Sequence, residues 1–298
     1  MGNLRFALFG NVHQPRKSAF VQNLLYALDR HEAEVFIDKL FHDYLTQELH
    51  IDVLNANVLD TDNDDITADF AVSMGGDGTF LKTASRIGNK EIPIIGINTG
   101  RMGFLADVDS NHIDSIIDQI HKGEYKQEQH SVLEIKYNTG HPQGAPYALN
   151  EVAVLKLDNS SMISIRASVN GEYLTTYQAD GLIVNTPTGS TGYALSVGGP
   201  IMSPDSGTIG IVPVAPHSLT IRPVSICDTA KIELTIESRN HNFLVSIDGR
   251  SETCSETTKL TIHRAPFNIH VIKRQGSSFF STLREKLMWG NDVRNGKL

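Results

Sequence analysis

The stretch FAVSMGGDGT, residues 70–79, decides the fold class of this chain. Its first five residues, Phe70–Met74, are apolar or small and predict a buried strand, while Thr79–Ile87 continues with the spacing of a helix. Between the two lie closely spaced glycines and a lone carboxylate, Asp77. A strand that turns into a helix through glycines is where open α/β sheets place their ligands.

The glycines and the predicted helix N-terminus together indicate an anion site, because backbone amides there favour phosphate. The phosphate-binding candidates are Gly75, Gly76, Gly78 and Thr79. A carboxylate beside a phosphate is repulsive unless it has a task, which for Asp77 is to hold Mg²⁺ or to accept the proton of an attacking hydroxyl. The alternative is a tight turn in which Asp77 only caps the helix. Both the common dinucleotide fingerprint and the P-loop are missing.

Strands and helices alternate through the first part of the chain. The pattern predicts strands at 4–9, 34–37, 70–74 and 92–97 and helices at 18–28, 39–49, 79–87 and 112–121. Such alternation implies a largely parallel sheet covered on both faces. We therefore predict an α/β N-terminal domain.

The pattern changes near Gln129, after which β-branched runs and turn signals dominate. Asn170-Gly171 between two such runs is a strong hairpin signal. Strands are predicted at 133–137, 152–155, 164–169, 172–177, 181–185, 209–213, 231–236, 243–247, 259–263 and 270–273. A final helical segment at 281–289 is expected to pack back on the first domain. The predicted domains are 1–128 with 277–298, and an all-β domain at 129–276.

Composition excludes several classes of protein. A formal net charge of −8 argues against broad nucleic-acid binding, and local groups or a metal ion must attract any anionic substrate. No apolar run reaches the length of a membrane span, and the N-terminus does not read as a leader, so a cytoplasmic protein is expected. The two cysteines, Cys227 and Cys254, predict buried thiols, although a disulfide stays open.

Three further segments carry chemistry. After the strand at 92–97, Arg101 offers positive charge and Phe104 a ring to stack on; the alternatives are a solvated loop charge and core packing. Asn150-Glu151 suits the paired hydroxyls of a ribose, although surface loops contain many such pairs.

The glycine- and hydroxyl-rich segment Thr186–Pro200 predicts an adenine and ribose pocket. Ser190 lacks the G-x-S-x-G spacing of a hydrolase nucleophile, and no metal-ligand spacing appears among the twelve histidines. Asp248-Gly249-Arg250 predicts a hairpin turn first and a part of the substrate site second.

In these motifs the chain resembles the NAD kinases, and more closely the bacterial ones. The blocks that carry the resemblance are GGDGT at 75–79, GINTGRMGFL at 96–105, Asn150-Glu151, and Asp180 to Ile183 leading into Thr186–Pro200. The first block alone is shared with lipid kinases and, in related form, phosphofructokinases, whereas the combination in this order is highly specific.

The resemblance implies a fold and a reaction. The expected protein has an α/β N-terminal domain, a β-rich C-terminal domain, a nucleotide site in the cleft between them, and a homo-oligomeric state, a tetramer or dimer, in which a neighbour helps complete the site. The implied reaction moves the γ-phosphoryl group of ATP to the 2′-hydroxyl of the adenosine ribose of NAD, with a divalent metal ion, Mg²⁺ by preference.

The resemblance also implies roles for individual residues. Asp77 resembles the general base, Asn150 and Glu151 resemble ribose and metal-site contacts, and Asp180 resembles the residue that reaches the nicotinamide amide. The full set of substrate-binding candidates is Gly78, Arg101, Phe104, Asn150, Glu151, Asp180, Thr191, Gly192, Tyr193, Ala194, Ser196 and Arg250. Two positions depart from the family pattern: Gly192 replaces a frequent Ala, and Gln178 a basic side chain.

Two rival functions remain at this point. A lipid kinase shares the first glycine motif, but the acidic charge balance and Thr186–Pro200 argue against it. A non-catalytic module that senses NAD would retain the pocket, although an intact Asp77 and Asn150-Glu151 argue against lost chemistry.

Overall fold

A computed structural model of the chain describes residues 3–12, 18–53, 55–60, 65–99, 103–157 and 161–290. The chain forms two compact units, one of Met1–Glu128 with Ile269–Leu298 and the other of Gln129–Asn268.

The first unit is built from alternating strands and helices. Its strands are β1 (Arg5–Gly10), β2 (Glu34–Asp38), β3 (Asn57–Leu59), β4 (Phe70–Gly75), β5 (Ile94–Asn98) and β6 (Val108–Asp109). Its helices in the part before Glu128 are α1 (Ser18–Arg30), α2 (Lys39–Asp43), α3 (Asp77–Ile87) and α4 (Ile113–Lys122). A π-helical turn lies at Tyr44–Glu48, and 3₁₀ turns lie at Gly88–Lys90 and Ser110–His112.

The strands of this unit pair in the order β3-β2-β1-β4-β5, and every pairing among them is parallel. Their buried residues, such as Leu8, Val72 and Ile95, form one apolar core with the inner faces of α1 and α4. The chain order reverses between β1 and β4, so the carboxyl ends of these two strands form a switch point, where such sheets bind ligands.

The second unit is built almost entirely from strands. They are β7 (Lys126–Tyr137, which starts in the first unit), β8 (Tyr147–Ala148), β9 (Glu151–Lys156), β10 (Ile163–Val169), β11 (Glu172–Ala179) and β12 (Gly181–Asn185). A 3₁₀ turn at Thr188–Thr191 and the short helix α5 (Tyr193–Ser196) follow, and then β13 (Thr208–Val214), β14 (Val224–Cys227), β15 (Ile232–Glu237), β16 (Asn242–Ile247) and β17 (Arg250–Ser255). The strand β18 (Leu260–Lys273) leads back to the first unit, which ends with α6 (Phe279–Leu287).

Two antiparallel layers enclose the core of the second unit. One has the order β14-β13-β12-β9-β16-β17, and the other contains β11-β10-β15-β18. Alternate residues of each strand point inward, as with Ile163, Ile165 and Ala167 of β10, and together with Val152 and Phe243 they form one buried cluster. The outer face of the first layer is covered at Ala194 of α5.

The predicted fold class is confirmed: an α/β part with a parallel sheet, an all-β part, and a final helix in the first unit, where Leu283 is buried. Some details differ from the prediction. The two predicted strands at 259–263 and 270–273 are one strand, β18, which runs through Pro266. The strands β3, β6, β8, β14 and β17 were not predicted. The first four have only two to four residues, and β17 is a polar strand in which only Cys254 is buried, so it lacks an apolar alternation.

The return to the first unit also differs. Residues 269–276 belong to the first unit, although the sequence pattern placed them in the second domain. The reason is strand pairing, since Val271 and Ile272 align with Ile94 and Ile95 of β5, and a sequence pattern does not reveal a strand's partner.

Membrane and thiol expectations can also be compared with the structure. None of the helices in the described ranges is long and apolar enough to cross a membrane. Both cysteines are free, so no disulfide joins them. Cys254 is buried as predicted, but Cys227 is exposed, because it lies on β14, at the edge of its sheet.

Candidate functional site

In the first unit, Asp77 is the first residue of α3 and directly follows the glycine turn at the end of β4. Its half-buried carboxylate accepts three hydrogen bonds from consecutive backbone amides: Phe104 at 2.8 Å, Leu105 at 3.0 Å and Ala106 at 3.3 Å. The carboxylate thus ties the helix start to the loop after β5. We call this arrangement the first clamp.

The first clamp rules out the simple capping alternative. The N-cap residue of α3 is Gly76, which has no side chain to cap with, and Asp77 binds a distant loop instead. An ionised carboxylate offers about four acceptor positions. Three are taken by amides, which leaves about one for a ligand hydroxyl.

Two glycines are required here by close contact, and two others leave space. A Cβ on Gly103 would lie 2.2 Å from Asp77 Oδ1, and one on Gly75 would lie 2.2 Å from Thr79 Oγ1. None of the described residues has an atom within 4 Å of the corresponding positions at Gly76 and Gly78. A ligand can therefore approach the helix N-terminus at Gly76 and Gly78, while Gly75 and Gly103 keep the turn and the carboxylate in place.

Two other candidate site residues of this unit are Phe104 and Arg101. Phe104 is half-buried, and its backbone amide donates the shortest of the three hydrogen bonds to Asp77. Neither the stacking nor the core-packing interpretation of Phe104 included this contact. Arg101 lies outside the described residues.

In the second unit, Asn150 and Glu151 lie at the corner between β8 and β9. The carboxylate of Asp248 accepts from the amides of Leu149 at 2.7 Å, Asn150 at 2.9 Å and Glu151 at 3.0 Å. In return the Asp248 amide donates to the Glu151 carbonyl at 3.1 Å. We call this the second clamp.

The side chains at this corner have unused hydrogen-bonding capacity. Among the described residues, Asn150 Oδ1 and Glu151 Oε2 are buried and accept no hydrogen bond. Burial, with the negative charge of Asp248, raises the pKa of Glu151 to about 7, against the opposing effect of the Tyr193 amide. Burial also raises the pKa of Asp248, although the three amides and Arg250 oppose it. Buried oxygens without partners are costly, and a ligand that donates hydrogen bonds would satisfy them.

The glycine-rich segment Thr186–Pro200 packs directly on this corner. The Thr186 hydroxyl donates to the Leu149 carbonyl at 2.6 Å, and a Cβ on Gly189 would lie 2.1 Å from the Asn150 carbonyl oxygen. At Gly192 a Cβ would lie 3.2 Å from Glu151 Oε2, so this glycine borders the unsatisfied oxygens. The sequence predicted both sites separately, and the structure brings them together.

The hydroxyl and aromatic residues of that segment differ in exposure. Ser190 is fully buried and bonds to the Pro187 carbonyl and the Met202 amide, so it is not a nucleophile, as the sequence predicted. Thr191 is half-buried and Tyr193 is 37% exposed, which leaves both able to contact a ligand.

The remaining two candidates of the segment have opposite environments. Ser196 is exposed, and its hydroxyl donates to the Tyr193 carbonyl. Ala194 is fully buried against Ala153, Ile183 and Val212, so its methyl group serves the core and has no surface to offer a ligand.

Three further polar residues of the second unit were singled out in the sequence, and each has a hydrogen-bond or ion-pair partner in the structure. Asp180 is half-buried between β11 and β12 and pairs with Lys156 Nζ at 2.7 Å. Arg250 donates to the Tyr147 carbonyl at 3.1 Å. Gln178, one of the two positions that depart from the family pattern, is exposed, and its side-chain amide donates to the Ser164 hydroxyl, as is common for surface residues.

The sequence interpretation missed two residues. Asp248 was predicted first as a turn residue and second as part of the substrate site, not as an anchor of the Asn150-Glu151 backbone, and Lys156 was not singled out at all. The Asp-Gly pair signalled the hairpin, but nothing local reveals that an Asp holds a corner almost a hundred residues away in the chain. For metal ions, the described ranges contain no group of three or more His, Cys, Asp or Glu side chains placed to hold one.

Comparison with known proteins identifies the family. The model of the ATP-NAD kinase N-terminal domain matches residues 28–125, and that of the ATP-NAD kinase C-terminal domain matches residues 149–274. A Bacteroides fragilis protein named NAD kinase is 55% identical over 98% of this chain and 100% of its own length. A Porphyromonas gingivalis protein of the same name is 41% identical over 97% of this chain and 99% of its own.

Two solved structures of NAD or NADH kinases have a fold similar to that of this chain. The yeast NADH kinase complexed with NADH has a TM-score of 0.88 over 99% of this chain and 90% of that one; its 20% identity makes this a likeness of fold. An NAD kinase from Archaeoglobus fulgidus in complex with ATP has a TM-score of 0.72 at 26% identity, over 94% of this chain and 99% of that one. On its two domain matches and these near full-length relatives, the chain belongs to the NAD kinase family.

Proposed function

We propose that the chain transfers the γ-phosphoryl group of ATP to the 2′-hydroxyl of the adenosine ribose of NAD, giving NADP. The observation that carries the proposal is the first clamp: a carboxylate with about one vacant acceptor position, fixed at a helix N-terminus with open glycine positions. The names of the relatives, and the NADH and ATP present in the solved family structures, support the choice of substrates.

In this proposal Asp77 orients the attacking hydroxyl. Its remaining acceptor position takes the hydrogen bond of the 2′-hydroxyl, and the proton moves to the carboxylate as the oxygen bonds to the γ-phosphorus and the bond to ADP breaks. The open positions at Gly76 and Gly78 let phosphate oxygens approach the backbone amides of the helix N-terminus. Catalysis then rests on positioning and charge neutralisation more than on strong basicity.

The corner of the second unit supplies ribose contacts. Asn150 Oδ1 and Glu151 Oε2 are buried acceptors without partners, and two neighbouring hydroxyls of a ribose would satisfy both. Gly192 and the Tyr193 amide border the same corner. Thr191, Tyr193 and Ser196 are assigned to the adenine side, and the Asp180 carboxylate to the nicotinamide amide.

The family reaction also implies Mg²⁺, and the residues fit a partly protein-bound ion. Mg²⁺ keeps several waters and is usually held by one or two carboxylates plus substrate phosphates, so the lack of a three-residue cluster in the described ranges is compatible with it. Glu151 and Asn150 would hold such a hydrated ion through its water protons. When bound, the ion neutralises charge on the transferring phosphoryl group.

The decisive test incubates the purified protein with NAD, ATP and Mg²⁺ and measures NADP with an NADP-specific dehydrogenase. Formation of NADP only in the complete mixture is expected. A lipid kinase would form no NADP and would phosphorylate diacylglycerol supplied in place of NAD, whereas a sensing module would bind NAD and form no NADP. Either of those results would overturn the proposal.

We also infer that the protein is a homo-oligomer, a dimer or tetramer, as the family resemblance implies, and that it is cytoplasmic, as the sequence pattern predicts. Sedimentation equilibrium tests the assembly, and a monomer at micromolar concentration would contradict it. Cell fractionation tests the location.

A further inference from the structure

The tip of the β16–β17 hairpin carries a group that the proposed mechanism does not use. Asp248 and Gly249 have φ angles of 47° and 80°, the left-handed conformation that a two-residue hairpin turn requires. Most such turns need nothing from the side chain. Here the carboxylate instead points back at the corner between β8 and β9.

The contact between the hairpin and that corner is unusually complete. Asp248 accepts three amide hydrogen bonds, at 2.7, 2.9 and 3.0 Å, from Leu149, Asn150 and Glu151. The Asp248 amide donates back to the Glu151 carbonyl, and Arg250 donates to the Tyr147 carbonyl. Five hydrogen bonds therefore fix residues 147–151 from one hairpin tip.

Two of the three clamped amides belong to the residues whose side-chain oxygens are buried and unsatisfied, Asn150 Oδ1 and Glu151 Oε2. A fixed backbone sets the position of each Cβ and so limits where those oxygens can lie. The clamp also has a cost, since a second carboxylate beside Glu151 repels its charge. A neutral hydrogen-bond acceptor could have satisfied one amide without that repulsion.

We propose that Asp248 is a positioning residue of this enzyme, which holds the Asn150-Glu151 backbone so that both side chains meet the ribose of the phosphoryl acceptor. The proposal rests on the proposed function, because it assumes that NAD is the acceptor. Asp248 acts through Asn150 and Glu151 and touches no substrate itself. It is therefore expected to affect the binding of NAD more than that of ATP, whose metal ion would be held mainly by water and substrate phosphates.

The chain offers a matched control at its other Asx-Gly hairpin. Asn170 and Gly171 have φ angles of 53° and 83°, and Asn170 Oδ1 accepts from the Lys231 amide at 2.8 Å. Like Asp248, it ties a hairpin tip to a strand start, but it lies at the opposite end of β11 from Asp180, the candidate site residue nearest to it in the chain. Asn170→Ala therefore reports what the loss of a turn anchor alone does.

The experiment measures kcat, the KM for NAD and the KM for ATP, together with thermal unfolding, for the full-length protein and its variants. Asp248→Ala is expected to raise the KM for NAD by about tenfold or more and to change the KM for ATP less than about twofold. Asp248→Asn keeps the acceptor for Asn150 and Glu151 but turns an amide against Leu149, so its effect should be intermediate. Asn170→Ala should lower the unfolding temperature and leave both KM values unchanged.

A double-mutant cycle separates positioning from general damage. In an Asn150→Ala background the added Asp248→Asn change should alter the KM for NAD by a smaller factor than it does in the unaltered protein, because one of its two targets is gone. Full additivity, or a normal KM for NAD in Asp248→Ala, overturns the proposal; if Asp248→Ala does not fold, Asp248→Asn decides. Failure of the proposed function is a different result, since the unaltered protein would then form no NADP.

Discussion

Both units use the same device, an aspartate whose carboxylate accepts from three consecutive backbone amides, yet the two devices differ in what they leave free. Asp77 binds the amides of residues 104–106, and Asp248 those of residues 149–151. In the first clamp the aspartate is itself the proposed reactive group. In the second, the free oxygens belong to the clamped residues, Asn150 and Glu151.

This difference follows from where each aspartate lies. Asp77 begins a helix beside glycines that leave open space, so a ligand can reach its carboxylate. Asp248 lies in a hairpin turn, where its side chain faces its own chain, and only its partners can face a ligand. The same set of hydrogen bonds thus orients a reactive group in one unit and supports binding groups in the other.

The largest expected effect comes from changing the reactive group of the first clamp. Asp77→Asn keeps one oxygen for the loop amides but loses the base, so turnover should fall by about 10²- to 10⁴-fold. Initial rates of NADP formation at saturating NAD and ATP measure this. Near-normal turnover would mean that Asp77 is not the base and only holds the backbone of residues 104–106.

Gly103→Ala tests the geometry of the first clamp without removing its carboxylate. The added methyl group would lie 2.2 Å from Asp77 Oδ1, so the carboxylate must move. A shift on the order of 1 Å is expected to cost about 10²-fold in turnover.

Gly78→Ala is the contrasting variant for stability, because no atom of the part of the chain that the structure describes lies within 4 Å of its added methyl group, and a helical alanine is favoured. Its unfolding temperature should not fall. Full turnover in Gly103→Ala would show that the position of the Asp77 carboxylate does not depend on the lack of a side chain at residue 103.

The dependence of stability on pH should reveal that burial of Glu151, and after it the negative charge of Asp248, disfavours the ionised carboxylate. The pKa of Glu151 is raised from its ordinary value of 4.5 to about 7. Between these values the folded protein keeps a proton that the unfolded chain has lost, so this group's contribution to stability declines as pH rises through that window and is flat above it.

Glu151→Gln removes that contribution. Without ligand, it should be stabilised relative to the unaltered protein by on the order of 2 to 3 kcal/mol at pH 8, and the gain should disappear below about pH 4. Urea unfolding at pH 4, 6 and 8 measures the difference. A gain in stability that does not vary with pH would show that the pKa of Glu151 is not raised in the folded protein.

The smallest effect is expected at Gly192, which borders the second clamp. A methyl group there would lie 3.2 Å from Glu151 Oε2 and 3.3 Å from Asn150 Nδ2, so both side chains must move by a few tenths of an ångström. Gly192→Ala should change the KM for NAD by less than about tenfold, with little change in unfolding temperature. A loss of all activity would mean that this glycine is essential and that its departure from the family pattern is functional.

The first clamp was more predictable than the second. Glycines, a strand and a helix are adjacent in the sequence at 70–87, so local pattern alone located Asp77 and the phosphate site around it. Its bonds to residues 104–106 were not predicted, because they depend on how two loops of neighbouring strands meet. Asn150-Glu151 and Thr186–Pro200 were each recognised, but their contact depends on the antiparallel pairing of β9 with β12.

The sequence by itself determined the alternation of elements, the change to an all-β second part, and the residue types of the site, because periodicity and turn chemistry act between near neighbours in the chain. The tertiary structure decided which loops meet, that Asp77 and Asp248 are both held by backbone amides, that Ala194 belongs to the core, and that β18 returns the chain to the first unit. These outcomes depend on contacts between residues far apart in sequence, whose free energy is gained only when the whole chain packs.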